Sequence, residues 1–152
     1  MQSMKVKQII RGFIHYTLEV EQVENDLYQL IVHLDRLALA TAHVKYQFDE
    51  NDYPEAPGIN YIKTRKMVEK RFPALDCYNT VDEISNVISS SEVEVSDAKD
   101  DMATIVIALI KVFWYFENTS EDNALWYFED SYKTNWGKNL RKLQYYLHDY
   151  WW

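Results

Sequence analysis

Apolar side chains recur every three or four residues along the C-terminal part of the chain, in two runs separated by a polar turn. The first run is Ala98, Met102, Ile105, Leu109, Val112, Phe113 and Phe116. The second run is Leu125, Phe128, Tyr132, Trp136, Leu140, Leu143, Leu147 and Trp151. This spacing is that of one face of an α-helix. It predicts a helical hairpin over residues 97–152, and we expect the rest of the chain to pack around it.

Capping residues and glycines refine the predicted helices. Ser96 is the expected N-cap of the first hairpin helix, and Thr119 or Ser120 that of the second. Gly137 lies inside the second helix, so it predicts either a kink or a contact too close for a side chain. Gly12, in an earlier helix, would allow close helix packing.

The N-terminal two thirds of the chain continue the helical pattern. The predicted segments are a first helix from Met4 to Val23, a second capped by Asn25 or Asp26 and running to Ala42, a loop from Gln47 to Asn60, a third helix from Tyr61 to Phe72, a short helical segment from Leu75 to Ile88 and a polar connection to Ser96. Short connections favour antiparallel neighbours. We therefore expect an all-α fold, a single-domain antiparallel helical bundle of five or six helices covering residues 1–152.

Composition and charge narrow the choice of partners. The chain has 152 residues, three Gly, three Pro and a net charge of −8. An acidic protein lacks the basic surface that phosphate neutralisation requires, so nucleic acid is excluded as the expected partner. The basic stretch from Lys63 to Arg71 is interpreted as the solvated face of a helix.

Cysteine use and hydropathy bear on location. Cys77 is the single cysteine, so an intrachain disulfide is excluded, which fits a reducing cytoplasm. We expect the side chain of Cys77 to be at least half-buried. The apolar stretch from Ile9 to Val20 is interrupted by Arg11, His15 and Glu19, so no signal peptide or membrane span is predicted. We expect a cytoplasmic protein with no membrane partner.

Asp97, Asp100 and Asp101 are the strongest candidates for polar chemistry. They share one face at the start of a helix, where their carboxylates could converge on one cation such as Mg²⁺. The predicted polar cluster adds residues facing them from the return helix: Asn135, Trp136, Lys138, Asn139 and Arg141. The alternative interpretation is an acidic helix start with one buried ion pair, from Asp101 to Lys138 or Arg141.

A sharper form of the metal hypothesis compares the chain with all-α nucleotide pyrophosphohydrolases, which hold Mg²⁺ between acidic pairs on two antiparallel helices. Glu21 with Glu24 and Asp97 with Asp101 would be the pairs. No pattern commits the chain to a metal or a cofactor: the histidines are far apart, and there is no His-x-x-x-His pair, Gly-rich phosphate loop or Gly-x-Ser-x-Gly elbow.

The chain ends in the aromatic run Tyr150, Trp151 and Trp152. Tyr and Trp are enriched at protein interfaces. This end is therefore the predicted interaction surface, either for a protein partner or for self-association.

Three stretches together resemble a known family. They are Asp100-Asp101-Met102-Ala103-Thr104-Ile105, Asn123-Ala124-Leu125-Trp126 and Trp136-Gly137, with Leu147-His148 closing the chain. They are similar, in this order, to the bacterial family of domains of unknown function numbered 5063. The resemblance implies an all-helical fold and no settled activity. The family usually has His where Asn135 stands and often a third acid where Thr104 stands, which weakens any catalytic interpretation.

The sequence leaves two function hypotheses open, and whether the protein is an enzyme stays undecided. The leading one is a non-catalytic cytoplasmic interaction or accessory protein. The alternative is a divalent-metal-dependent hydrolase of phosphate esters or nucleotides that uses Asp97, Asp100 and Asp101.

Overall fold

A computed structural model describes residues 2–22 and 26–151, which form five continuous helices and one β-hairpin. The α-helical segments are α1 (Gln2–Ile14), α2 (Asp26–Thr41), α3 (Tyr61–Arg71), α4 (Ala98–Asn118), α5 (Glu121–Ser131) and α6 (Gly137–Trp151). One π-helical turn, His15–Glu19, extends α1, and another, Tyr132–Trp136, joins α5 to α6. The hairpin strands are β1 (Cys77–Val81) and β2 (Val93–Asp97).

Helix α4 is the centre of the fold, as the apolar pattern predicts. It packs against α1, α3, α5 and α6, and Met102, Ile105 and Leu109 on it are fully buried. Trp136, Phe13 and Phe72 are the bulkiest side chains that complete this core. A helix that is apolar on most of its faces has to be surrounded by neighbours.

The all-α prediction is wrong between α3 and α4, and the fold is mainly helical with a small sheet. The segment predicted as a helix from Leu75 to Ile88 contains β1, and the predicted polar connection contains β2. The strands are antiparallel, with Cys77 opposite Asp97 and Val81 opposite Val93. Valine and threonine favour extended backbone, and the hairpin gives them partners that an isolated short helix would lack.

The helix starts agree with the predictions in part. Ser120 caps α5 by accepting a hydrogen bond from the N–H of Asn123 at 3.1 Å, as predicted. The predicted cap of α4 is wrong by one residue: Ser96 belongs to β2, and Asp97 is the N-cap, accepting from the N–H of Lys99 at 2.8 Å. Asn25, one of two predicted caps for α2, lies outside the described residues.

Within residues 2–22 and 26–151, no helix has both the length and the apolar character needed to cross a membrane.

Candidate functional site

Asp97 and Asp100 converge on a cation, but that cation is the side chain of Arg65. The Nη2 atom of Arg65 donates to Asp97 at 2.6 Å and its Nε atom donates to Asp100 at 2.7 Å. The hydroxyl of Tyr61 also donates to Asp100. The interpretation of the basic stretch as a solvated face is therefore wrong for Arg65, which fastens α3 to the start of α4.

Asp101 turns away from this pair into the protein interior, where its side chain is 3% exposed. It accepts hydrogen bonds from the hydroxyl of Tyr78 on β1 and, at 2.9 Å, from the amide of Asn139 on α6. Burial raises the pKa of Asp101, although both hydrogen bonds act in the opposite direction. Burial and the hydrogen bond to Asp101 raise the pKa of Tyr78 above its ordinary value. This cluster joins three elements at one point.

The other members of the predicted polar cluster are engaged elsewhere. Asn135 is exposed, and Trp136 is buried with its indole N–H donating to Ser131 at 2.9 Å. Lys138 bonds to Asp82 at 3.2 Å, and Arg141 donates to the oxygens of Tyr132 and Gln144. The predicted ion pair from Asp101 to Lys138 or Arg141 is therefore wrong, because the partner on α6 is the neutral amide of Asn139.

Asp97 and Asp100 share Arg65, whereas Asp101 bonds to Tyr78 and Asn139, so the three carboxylates do not converge on one point. In the part of the chain that the structure describes, no three His, Cys, Asp or Glu side chains are grouped so that they could hold a metal ion. Glu24, which the pyrophosphohydrolase hypothesis needs, lies outside that part. The local geometry therefore explains these carboxylates by hydrogen bonds and ion pairs to neighbouring side chains.

A second buried polar cluster, which the sequence analysis missed, ties α2 to the end of α3. Arg71 forms a bidentate ion pair with Asp26, with one Nη2–Oδ1 distance of 3.0 Å, and both side chains are buried. The Tyr16 hydroxyl donates to Asp26 at 2.8 Å, and the guanidinium lies over the rings of Tyr16 and Phe72. Burial and the contact with Asp26 raise the pKa of Tyr16.

The predicted C-terminal interaction surface lies only partly within the described residues. Tyr150 is 54% exposed, and its ring is 6.1 Å from that of Tyr146. Trp151 ends α6 with a side chain that is not described, and Trp152 lies outside the described range. This surface stays a prediction.

The β-hairpin supplies an exposed surface that the sequence analysis did not predict. Every residue from 81 to 95 is exposed, and we call this segment the arm. Ile84 is 98% exposed, Ile88 89% and Val95 75%. Solvated apolar side chains concentrated in one segment are typical of an interaction site.

The base of the hairpin is fixed to the helices, in contrast to the arm. Leu75 is buried in the core, and Tyr78 stacks on Tyr146 of α6 with 4.8 Å between ring centroids. The backbone N–H of Asp76 donates to the Tyr146 hydroxyl, and the N–H of Ala98 donates to the Asp76 carbonyl, each at 3.2 Å. The arm therefore projects from a well-anchored base.

A cleft of about 1010 Å³ lies between the hairpin and α6. Residues 78–84 and Val93 line one side, and the other side is formed by Lys138, Arg141, Lys142 and Tyr145. In the described chain the sheet has only two strands, so each strand keeps one edge without a backbone partner. An unpaired strand edge beside a cleft can accept a further strand.

Local sequence signals for this surface exist. The alternation Glu92-Val93-Glu94-Val95 has the period of two that indicates a strand rather than a polar connection.

Cys77, expected to be at least half-buried, is an exposed free thiol at the first position of β1. The predicted burial of Cys77 is wrong because the segment is a strand at the surface rather than a helix packed against the core.

Comparison with known proteins supports the fold and assigns no activity. Residues 10–150 match the model of a family described as Domain of unknown function (DUF5063). Among curated proteins, none matches the chain. The crystal structure of protein BF1032 from Bacteroides fragilis is similar over 100% of this chain and 93% of that chain, with a TM-score of 0.77 and 14% sequence identity. At this identity the likeness concerns the fold alone.

Proposed function

The chain belongs to the DUF5063 family of domains of unknown function, and we propose that it is a non-catalytic interaction protein that binds another protein through the arm. The observation that carries this proposal is the exposure of Ile84 and Ile88, at 98% and 89%. Each side chain loses favourable free energy by remaining in water, about 1.5–3 kcal/mol relative to full burial. A protein partner that covers them would recover part of that free energy.

The distribution of exposed apolar groups favours the arm over the helical surfaces. Elsewhere fewer exposed apolar residues share a segment: α2 has Tyr28 and Leu39, and α3 has Tyr61, Ile62 and Met67. Exposed apolar residues in such numbers are ordinary in soluble domains. In the arm, five Ile and Val side chains at positions 84, 87, 88, 93 and 95 lie within twelve residues, all at least 68% exposed.

The hydrolase alternative lacks a supporting observation in either the geometry or the comparisons. Its three aspartates serve as a helix cap, an ion-pair partner of Arg65 and a buried acceptor for Tyr78. A cytoplasmic location belongs to the proposal, and the exposed thiol of Cys77 supports it, since reducing compartments keep such thiols free.

Photo-crosslinking in cells tests the proposal. We would replace Ile84 with the photoreactive residue benzoylphenylalanine, irradiate the cells and identify adducts by mass spectrometry. The matched control carries the same residue at Ile62, which is 67% exposed on α3. We expect a discrete protein adduct from position 84 and none from position 62.

Two results would contradict the proposal. One is the absence of any discrete adduct from position 84. The other is the same set of adducts from both positions, which would mean that the arm binds proteins no more specifically than the exposed surface of α3 does.

A further inference from the structure

We infer that the partner of the arm is a second copy of this chain, with the arm of each copy lying in the cleft of the other. This inference rests on the proposed function, because it names the occupant of the same surface. It differs from the predicted association through Tyr150, Trp151 and Trp152, which would use the C-terminal end of α6.

The charge of the arm is complementary to the charge of the helix that borders the cleft. The arm contains four acidic residues and no Lys, Arg or His, the acids being Asp82, Glu83, Glu92 and Glu94. The α6 wall of the cleft carries Lys138, Arg141 and Lys142, whereas its hairpin wall carries the arm's own Asp82 and Glu83. In a chain with a net charge of −8, this basic wall is a distinctive place for an acidic segment to bind.

Arg141 is the cation on that wall that is best prepared for an incoming carboxylate. Lys138 already contacts Asp82 of its own arm at 3.2 Å. Within the described residues, Arg141 is held by neutral oxygens, those of Tyr132 and Gln144, at 3.1 to 3.3 Å. An acid from a second copy would therefore add a charge-assisted bond that the isolated chain does not form.

Backbone chemistry also suits an arm as the occupant. The cleft is lined by four consecutive residues of β1, 78–81, and that strand has an edge without a backbone partner in the described chain. Only the two ends of the arm are strands, Val81 in β1 and residues 93–95 in β2, and these ends can add main-chain hydrogen bonds along that edge while the Ile and Val side chains become buried. A reciprocal exchange is a closed, two-fold arrangement.

The chain exposes more surface than a compact monomer of its mass would. A compact monomer of 18.2 kDa is expected to expose about 8,100 Å². This chain exposes 9513 Å². The excess is larger than the roughly 800 Å² that each partner buries in a standard interface.

The first test is the mass of the purified full chain in solution, by light scattering and sedimentation velocity across a concentration series. We expect a species of twice 18.2 kDa that dissociates on dilution. The variants Arg141→Glu, in the cleft, and Glu94→Arg, in the arm and outside the cleft lining, each place like charges between arm and cleft, so each is expected to weaken association at least about tenfold. Arg36→Glu, at an exposed position on α2, is the charge-matched control and is expected to leave association unchanged.

The decisive experiment mixes the two charge variants. In an equimolar mixture, the unchanged arm of the Arg141→Glu chain meets the unchanged cleft of the Glu94→Arg chain. The second contact brings the basic residue introduced in one arm against the acidic residue introduced in the other cleft, and these opposite charges also attract. At a concentration where each variant alone is monomeric, we therefore expect a heterodimer in the mixture. Circular dichroism of each variant, with the helical signal and melt of the parent chain, confirms that folding is intact.

Each other outcome overturns the inference. A monomer at every concentration excludes self-association, and a dimer unaffected by Arg141→Glu or by Ile84→Ser places the interface elsewhere. Variants that lose association and stay monomeric in the mixture would exclude reciprocal exchange. A monomeric chain that still crosslinks from position 84 to one different protein would retain the proposed function and reject only the second copy as partner.

Discussion

Gly137 is the residue at which backbone geometry most tightly limits the side chain. A Cβ atom at this position would lie 2.4 Å from the carbonyl oxygen of Tyr132 and 2.8 Å from its ring. The predicted close contact is therefore present, and it coincides with the π-helical turn between α5 and α6. At Gly12 a Cβ would meet no atom within 4 Å, so the close helix packing predicted there is wrong.

These two glycines make a matched pair for mutation. We expect Gly137→Ala to destabilise the protein by about 1–3 kcal/mol, because backbone must move to relieve the contact. Gly12→Ala should stabilise it by up to about 1 kcal/mol through helix propensity. Urea unfolding followed by circular dichroism measures both. Equal effects of the two substitutions would contradict the steric explanation.

Asp101 gives the stability a pH dependence of defined sign. Its pKa in the folded protein lies above the ordinary value of 3.8, because burial disfavours the carboxylate. Its contribution to folding is then complete below pH 3.8 and is lost as pH rises through the raised pKa. Asp101→Asn removes this titration, so we expect the stability of the variant relative to the parent to increase with pH across that window.

Asp97→Asn is the control of opposite sign. Burial raises the pKa of Asp97, but the hydrogen bonds from Arg65 and from the N–H of Lys99 outweigh it and leave the pKa below 3.8. Its contribution to folding is present above pH 3.8 and is lost as pH falls through the lowered pKa. This variant should therefore lose stability relative to the parent as pH rises. Denaturant unfolding of the parent and both variants from acid to neutral pH measures the free energy of unfolding as a function of pH. Parallel profiles for the three chains would contradict both assignments.

At the scale of elements, the helices are joined by a few buried polar contacts as well as by apolar packing. Arg71 ends α3 and holds Asp26 at the start of α2, with Tyr16 from the first helix completing the contact. Asp101 likewise joins α4 to β1 and α6. Such contacts fix how elements meet, because removing one partner deprives a buried polar group of a hydrogen bond that water does not replace.

Replacing Arg71 by Leu is expected to cost about 3–5 kcal/mol, since it strands the Asp26 carboxylate in the interior. Arg65→Leu, which breaks a partly exposed pair with Asp97 and Asp100, should cost only about 1 kcal/mol. Chemical unfolding compares the two variants. Adding Asp26→Asn to the Arg71 variant should restore part of the loss, and a failure to do so would mean that packing, not charge, carries the effect.

At the scale of the whole molecule, a packed helical body carries the exposed arm. The body has the core and its polar contacts, whereas every residue from 81 to 95 is exposed. The charged residues that sum to −8 are unevenly distributed. All charged residues of the arm are acidic, whereas those of α6 that line the cleft are basic. Because the residues of the arm lie outside the core, substitutions in the arm can test an interaction role without unfolding the protein.

The 3.6-residue period of the core positions is a local property of the chain, and it is enough to predict the helical body, including the α4 hairpin and the loop after α2. The sequence leaves two alternatives for the α5 cap, Thr119 or Ser120, and two for Gly137, a kink or a close contact; the structure shows Ser120 and the close contact. The resemblance to the family also came from local motifs in order, and the family match over residues 10–150 confirms it.

The polar pairings and the exposed surfaces depend on segments that are far apart in the sequence. Arg65 lies 32 residues before Asp97, and Asn139 lies 38 residues after Asp101, and no local pattern encodes such pairings. The short strands likewise depend on each other across the arm for their backbone hydrogen bonds. Exposure of the arm and the cleft beside it follow from how distant segments pack, which is a property of the whole fold.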